Sequence, residues 1–138
     1  MSERVRALFL DRDGVICHMI KYAHGYDSAQ SIKDVKLIED IEGVIRIAKS
    51  KNWKVIEISN QPGVAKGKQT KELSDAIEAR VHLLLKKNGA TVDDVYICQH
   101  HPQGVISGLN IECDCRKPKP GLLLRAAKDH NIDISLSI

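Results

Sequence analysis

Aromatic side chains are scarce: one Trp, one Phe and three Tyr make up 4% of the 138 residues, so there is no row of rings on which single-stranded bases could stack. Charge of one sign is lacking too. The 21 Lys and Arg against 18 Asp and Glu leave a net charge of +3, too small a bias to direct the chain to nucleic acid or to a membrane surface. No apolar window approaches the roughly 20 residues that span a bilayer, and residues 1–4 run into a short apolar stretch without the longer h-region of a secretory signal. A cytoplasmic protein with neither a membrane nor a nucleic-acid partner is therefore expected. Repeats and low-complexity segments are missing as well, which leaves one domain over residues 1–138. That length suits a single sheet with helices on both faces and is too short for a second core.

What is present is organised around the segment Leu8-Phe9-Leu10-Asp11-Arg12-Asp13-Gly14-Val15. An apolar run over 5–10 stops at two carboxylates one residue apart, as a buried strand does when it delivers charge to its carboxyl end. Gly14 permits the turn that follows. Two ionised carboxylates so close repel each other, so either a cation lies between them or one of them holds a proton. The plain alternative is an ordinary loop in which Asp11 and Asp13 cap turns.

Residues 16–36 show little periodicity and read as a loop or flap over the site, with His24 and Tyr26 as weak substrate contacts. From Asp40, as N-cap, the positions Ile41, Val44, Ile45 and Ala48 follow helical spacing. Residues 53–58 read as a second strand ending at Ser59-Asn60-Gln61, although Glu57 is out of place in a strand buried on both faces. A second helix carries the stripe Leu73, Ala76, Ile77, Val81, Leu84 and Leu85 and ends at Asn88-Gly89. Residues 95–97 form a third strand, followed at once by Cys98-Gln99-His100-His101. A third helix opens at Pro118-Lys119-Pro120-Gly121 and runs to about Asp129, and residues 132–138 alternate like the start of a fourth strand. The fold expected is α/β, a doubly wound parallel sheet, with the site along the strands' carboxyl ends.

Of the four cysteines, Cys17 stands apart as a small buried residue. Cys98, Cys113 and Cys115 fall near histidines in one loop, which in a reducing compartment reads as metal before disulfide. With one imidazole, from His100 or His101, they complete a tetrahedral zinc set; four protein ligands leave no open position, so the zinc is expected to be structural. Ser59 and the backbone N–H groups after it can hold a phosphoryl oxygen, and Asn60 can reach substrate or support the loop; both are equally ordinary turn residues.

The run Phe9-Leu10-Asp11-Arg12-Asp13-Gly14-Val15, with Ile58-Ser59-Asn60-Gln61-Pro62-Gly63 and Cys113-Asp114-Cys115-Arg116-Lys117-Pro118, resembles the motifs of the haloacid dehalogenase-like phosphatases. The form is that of the heptose 1,7-bisphosphate and the related histidinol-phosphate phosphatases. The resemblance implies a Rossmannoid fold and hydrolysis of a sugar phosphate monoester, with Asp11 as nucleophile forming an aspartyl-phosphate and Asp13 as general acid/base. Magnesium is expected at Asp11 and the Asp13 carbonyl, since hard oxygens suit it. Ser59, Asn60, Arg116 and Lys117 are the phosphate- and substrate-binding residues implied, and Cys98, His100, Cys113 and Cys115 the zinc ligands, with His100 preferred to His101. The substrate implied is a heptose bisphosphate, acted on by a monomer; histidinol phosphate is the alternative. The family's fourth motif, an acidic pair or Gly-Asp completing the magnesium site, is expected beyond residue 138, so the sequence reads as truncated at its C-terminus. A zinc-stabilised binding module without activity is the reading from another class.

Overall fold

A computed structural model describes residues 4–138. Three strands, β1 (Ala7–Leu10), β4 (Lys54–Asn60) and β5 (Asp94–Cys98), form a parallel sheet in the order β1-β4-β5. Two shorter strands, β2 (Ile20–Tyr22) and β3 (Gly25–Asp27), make a separate antiparallel hairpin. The helices are α1 (Ile41–Ser50), α2 (Lys71–Lys87) and α3 (Gly121–His130).

Strand β4 lies in the middle, paired on both sides, and its residues from Val55 to Ser59 are all buried. Its side chains alternate between two cores, as the pleat requires. Val55 joins Leu10, Ile45, Val81 and Leu85 beneath α1 and α2. Ile56 and Ile58 join Ala7, Leu122 and Ala126 beneath α3. Helices on both faces make the sheet doubly wound, and each large aliphatic side chain sealed there contributes about 1.5–3 kcal/mol. After α3 the chain returns beside the far edge of β1: Val5 bridges to Ile132, and Ile138 exchanges backbone bonds with Ala7 and Phe9. The connections thus reverse direction at β1, where an open α/β sheet forms its crevice.

Several expectations are corrected. Residues 16–36 are not only a flap: they hold the β2–β3 hairpin, and Ile16, Cys17 and Ala29 are core residues. Val44 lies on an exposed helix face. Asp40 precedes α1 with φ 66° and makes no side-chain cap, whereas Thr70 does cap α2, its hydroxyl accepting from the Leu73 N–H at 3.1 Å. Residues 132–138 pair with the β1 edge only at their two ends, Ile132 with Val5 and Ile138 with Ala7 and Phe9, and a 3₁₀ turn over Ile134–Leu136 interrupts the expected strand entry between them. Asp133 accepts from Ser135 there at both N–H and hydroxyl, a local bond that competes with extended pairing. Among the described residues no helix is long and apolar enough to cross a membrane.

Candidate active site and metal centre

Asp11 follows directly on strand β1, and β4 runs through Ser59 to Asn60. Each of the two aspartates has acquired its own cation. Lys117 Nζ lies 2.9 Å from Asp11 Oδ2 and also donates to the Ile58 carbonyl at 2.9 Å. The other Asp11 oxygen accepts from the Arg12 N–H at 2.7 Å. Asp13 is gripped by the guanidinium next to it: Arg12 Nε donates to Oδ1 at 3.0 Å and a terminal nitrogen to Oδ2 at 3.2 Å. Such a fork is a strong form of charge pairing.

Arg12 is 3% exposed, a depth at which a cation requires partners. It has three. Besides Asp13, it donates to Glu78 of α2 at 3.2 Å and to Gln61 at 2.7 Å. The Gln61 amide in turn donates to Asp13 at 2.8 Å and to Ser59 Oγ at 2.7 Å. The Ser59 hydroxyl is therefore fully buried beneath Gln61. Cys17 closes the far side, its thiol 3.6 Å from Asp13; burial and the neighbouring Asp13 charge push that thiol up to about 12, so it stays protonated as a donor.

Asn60 does not extend freely into the crevice. Its side-chain oxygen accepts from the Lys117 N–H at 2.9 Å and its amide nitrogen donates to the Lys117 carbonyl at 3.2 Å. This clasp sets the loop before the cis Lys117-Pro118 bond and aims Lys117 back across the strand ends to Asp11. Arg116 is half-buried beside it, with no hydrogen bond or ion pair recorded for its guanidinium among the described residues. His24 and Tyr26 belong to the hairpin. His24 pairs with Asp27 and stacks on Tyr22, and Tyr26 is exposed.

Behind Arg12 lies a cluster the sequence reading did not assemble. Glu57 is fully buried in β4 and meets His82 Nε2 at 3.0 Å, while the same nitrogen lies 2.7 Å from Glu78. Burial pushes Glu57 up to about 7. Burial opposes charge on His82 too, but its bonds to the two carboxylates prevail and hold it protonated to about 9. Glu78 is the anion between two cations: burial works against its charge, yet His82, Glu57 and Arg12 keep it below the usual range. The available signal was Glu57 itself, an acid in a buried strand, with a Glu-x-x-x-His face on the next helix.

The cysteine loop converges. The ligand atoms of Cys98, His100, Cys113 and Cys115 all lie within 4.8 Å of one another. Cys98 Sγ is 3.6 Å from His100 Nδ1, 3.5 Å from Cys113 Sγ and 3.0 Å from Cys115 Sγ; Cys115 Sγ is 3.4 Å from both Cys113 Sγ and His100 Nδ1. Four ligands about 2.3 Å from a common centre would stand about 3.8 Å apart, so the cluster is a slightly contracted tetrahedron. His101 faces away, its Nδ1 accepting from Gln103 N–H. Burial raises all three thiols and prevails in Cys98 and Cys115, the latter reaching about 12. In Cys113 the hydrogen bonds from Cys115 and Cys98 outweigh it and bring the thiol down to about 6. The loop rests on its neighbours where side chains are missing: a Cβ at Gly104 would lie 2.7 Å from the Ala65 carbonyl, and one at Gly121 would collide with the Asp114 carbonyl.

No family model matches the chain. Its fold and paired aspartates are those of the haloacid dehalogenase-like phosphatases. A structure described as a HAD-like phosphatase from Mesorhizobium loti aligns with a TM-score of 0.87 and 32% identity over 99% of this chain and 62% of its own. D,D-heptose 1,7-bisphosphate phosphatase from B. bronchiseptica, solved with magnesium and phosphate, aligns with a TM-score of 0.74 and 27% identity over 94% of this chain and 66% of its own. Within that class the chain belongs to the heptose-1,7-bisphosphate 7-phosphatase family, as its three motifs implied. It is 34% identical over 137 residues to the Yersinia pestis enzyme and 36% over 140 to that of Salmonella typhi, in each case covering 99% of this chain and 70% of the relative. The chain thus spans somewhat under two thirds of the two solved structures.

Proposed function

We propose that this protein is a magnesium-dependent phosphoric monoester hydrolase that removes the 7-phosphate of D-glycero-D-manno-heptose 1,7-bisphosphate. The observation that carries the reading is Asp11. It is 43% exposed at the end of β1, reachable by a phosphate, with Lys117 at 2.9 Å and Asp13 two residues on. In-line attack by an Asp11 oxygen on phosphorus forms an aspartyl-phosphate and releases the sugar alkoxide, which Asp13 protonates; Asp13 then takes a proton from the water that hydrolyses the acyl phosphate. Lys117 offsets the charge on Asp11 that would otherwise repel the incoming phosphate. Asn60 keeps Lys117 in place, Ser59 supports Gln61 and through it Asp13, and Arg116 is free to meet a second anionic group of the substrate.

The oxygen donors at Asp11 and the Asp13 carbonyl suit magnesium, which when bound would neutralise the phosphoryl oxygens. The sulfur-rich set Cys98, His100, Cys113 and Cys115 suits zinc, held without an open position and so structural. Residues 1–138 belong to one haloacid dehalogenase-like domain of an enzyme that works as a monomer in the cytoplasm, where reducing conditions keep those thiols available.

The test is phosphate release by the protein at its full natural length, with magnesium and zinc supplied. Asp11→Asn is expected to lower kcat by about a thousandfold or more. Asp13→Asn should slow alkyl phosphates far more than 4-nitrophenyl phosphate, because only the former need the proton. Substantial activity in Asp11→Asn would remove the nucleophile assignment. Faster turnover of histidinol phosphate than of the heptose bisphosphate would reassign the substrate.

A further inference from the structure

Arg12 sits between two carboxylates that belong to different parts of the fold. One edge of its guanidinium holds Asp13 at 3.0 and 3.2 Å, and the remaining nitrogen holds Glu78 at 3.2 Å. Glu78 is 15% exposed, on the inward face of α2, and its second oxygen lies 2.7 Å from His82 one turn further on. His82 is anchored to Glu57, a residue fully buried in the central strand. A continuous chain of charge-assisted bonds therefore runs from β4 through α2 to Arg12 and Asp13. The groups facing Glu78 are Arg12 from the turn after β1, His82 from its own helix and Glu57 from β4.

The ligand atoms of Glu57, Glu78 and His82 also lie within 4.8 Å of one another, a spacing a divalent metal would accept. Two features favour the protonated network instead. His82 holds its proton to about 9, and the Arg12 cation already neutralises Glu78 at 3.2 Å.

We infer that Glu78 is a positioning residue for the phosphatase reaction: by fixing the plane of Arg12 it fixes the Asp13 carboxylate, although it touches neither substrate nor magnesium. The inference rests on the acid/base role proposed for Asp13. Without Glu78 the guanidinium is held along one edge only, by Asp13 and Gln61, and can tilt about that edge; with its remaining nitrogen held by Glu78 it cannot, and the carboxylate it forks then has one orientation. General acid catalysis depends steeply on such placement.

The experiment compares two substrates in the metal-loaded, full-length protein. For an alkyl phosphate, whose leaving group needs the proton, Glu78→Ala should lower kcat by about tenfold or more with KM within about twofold. For 4-nitrophenyl phosphate, kcat should stay within about threefold. Glu78→Gln should restore most of the alkyl phosphate rate, since its amide oxygen still accepts from Arg12. Should Glu78→Ala fail to fold, His82→Gln gives the same comparison by loosening Glu78 without touching Arg12. Equal losses on both substrates, a change confined to KM, or no rescue by Gln would overturn the inference. Asp13→Asn is measured alongside. If it lacks the leaving-group dependence, the acid/base reading fails and takes this inference with it. If Asp13→Asn shows the dependence and Glu78→Ala does not, the positioning role alone is overturned.

Discussion

Two polar clusters lie past the carboxyl ends of the same three strands, one around Asp13 and one around Cys113. The aspartate cluster is neutralised by the chain itself. Arg12, Gln61, Glu78, His82 and the Cys17 thiol supply the charges and donors that Asp13 and Glu57 Oε1 meet among the described residues, and Gln61, Glu78 and His82 are carried by the end of β4 and by α2. The cysteine loop has no such internal counterpart. Its three sulfurs and one imidazole point at one another, and residues 99–112 contribute no member to the buried core. One cluster is satisfied by groups the chain supplies, whereas the other gathers four ligand atoms that could hold a metal ion at their centre. The difference follows from location: the first lies over the central strand between sheet and helix, the second outside the edge strand β5.

That contrast can be broken experimentally, and the largest effect should come from the loop. Purified protein is expected to hold about one zinc per chain. Cys113→Ser, or stripping by a strong chelator, should cost on the order of 5 kcal/mol or more, read as a fall in thermal midpoint with loss of protection of the loop amides. Protein that contains no zinc and melts at the same temperature with and without chelator would place both clusters in the same category.

Arg12→Leu should act on the other side of the comparison. Removing one partner of a buried pair leaves the rest uncompensated, and about 3–5 kcal/mol is expected by urea unfolding of zinc-saturated protein. The loss should be the same after zinc alone has been removed, because the cysteine loop shares no ligand with that cluster. A loss under about 1 kcal/mol would show that water, not Arg12, satisfies Asp13 and Glu78.

A smaller effect concerns pH. His82 titrates near 9 in the folded chain, above its ordinary 6.5, so its stabilising contribution is complete below about 6.5 and is lost as pH rises through 9. Glu57 is raised to about 7, so its contribution is likewise present below its ordinary 4.5 and lost as pH rises through 7. Both slopes have the same sign. Zinc-saturated protein should lose about 2 kcal/mol between pH 6.5 and 9.5, after discounting the solvent contact of His82, and His82→Gln should flatten the alkaline half of that curve. Stability that rises with pH over this interval would exclude a protonated His82 between the two carboxylates.

How much of this was legible beforehand differs between the clusters for a physical reason. Asp11, Asp13 and the cluster Cys98, His100, Cys113 and Cys115 are marked by spacing within short segments, two of them at the ends of β1 and β5, and local chain geometry brings each pair together. Glu57 was visible as an anomaly, but its partners Glu78 and His82 stand more than 20 residues later. Their meeting depends on how α2 is rotated against β4, which hydrophobic periodicity sets only to within a residue or so. The β2–β3 hairpin was missed because three-residue strands leave no measurable alternation. At the other end, alternation of Ile132, Ile134, Leu136 and Ile138 suggested the start of a strand; Ile132 and Ile138 do pair along the β1 edge, and the Asp133–Ser135 turn interrupts the segment between them.

The clasp of Asn60 on Lys117 has a mechanical meaning. An Asn side chain ends in the same amide as a peptide bond, and here it offers Lys117 the donor and acceptor that another strand would have offered. Past the last true rung of the sheet, β4 thus continues by proxy for one more residue, and the Lys117 backbone docks on it as if it were a neighbour in the ladder. Lys117 belongs by sequence to a surface loop but by geometry to the frame that carries Asp11. Asp11 and its countercharge are thereby tied to one frame, rather than to the loop that follows Lys117.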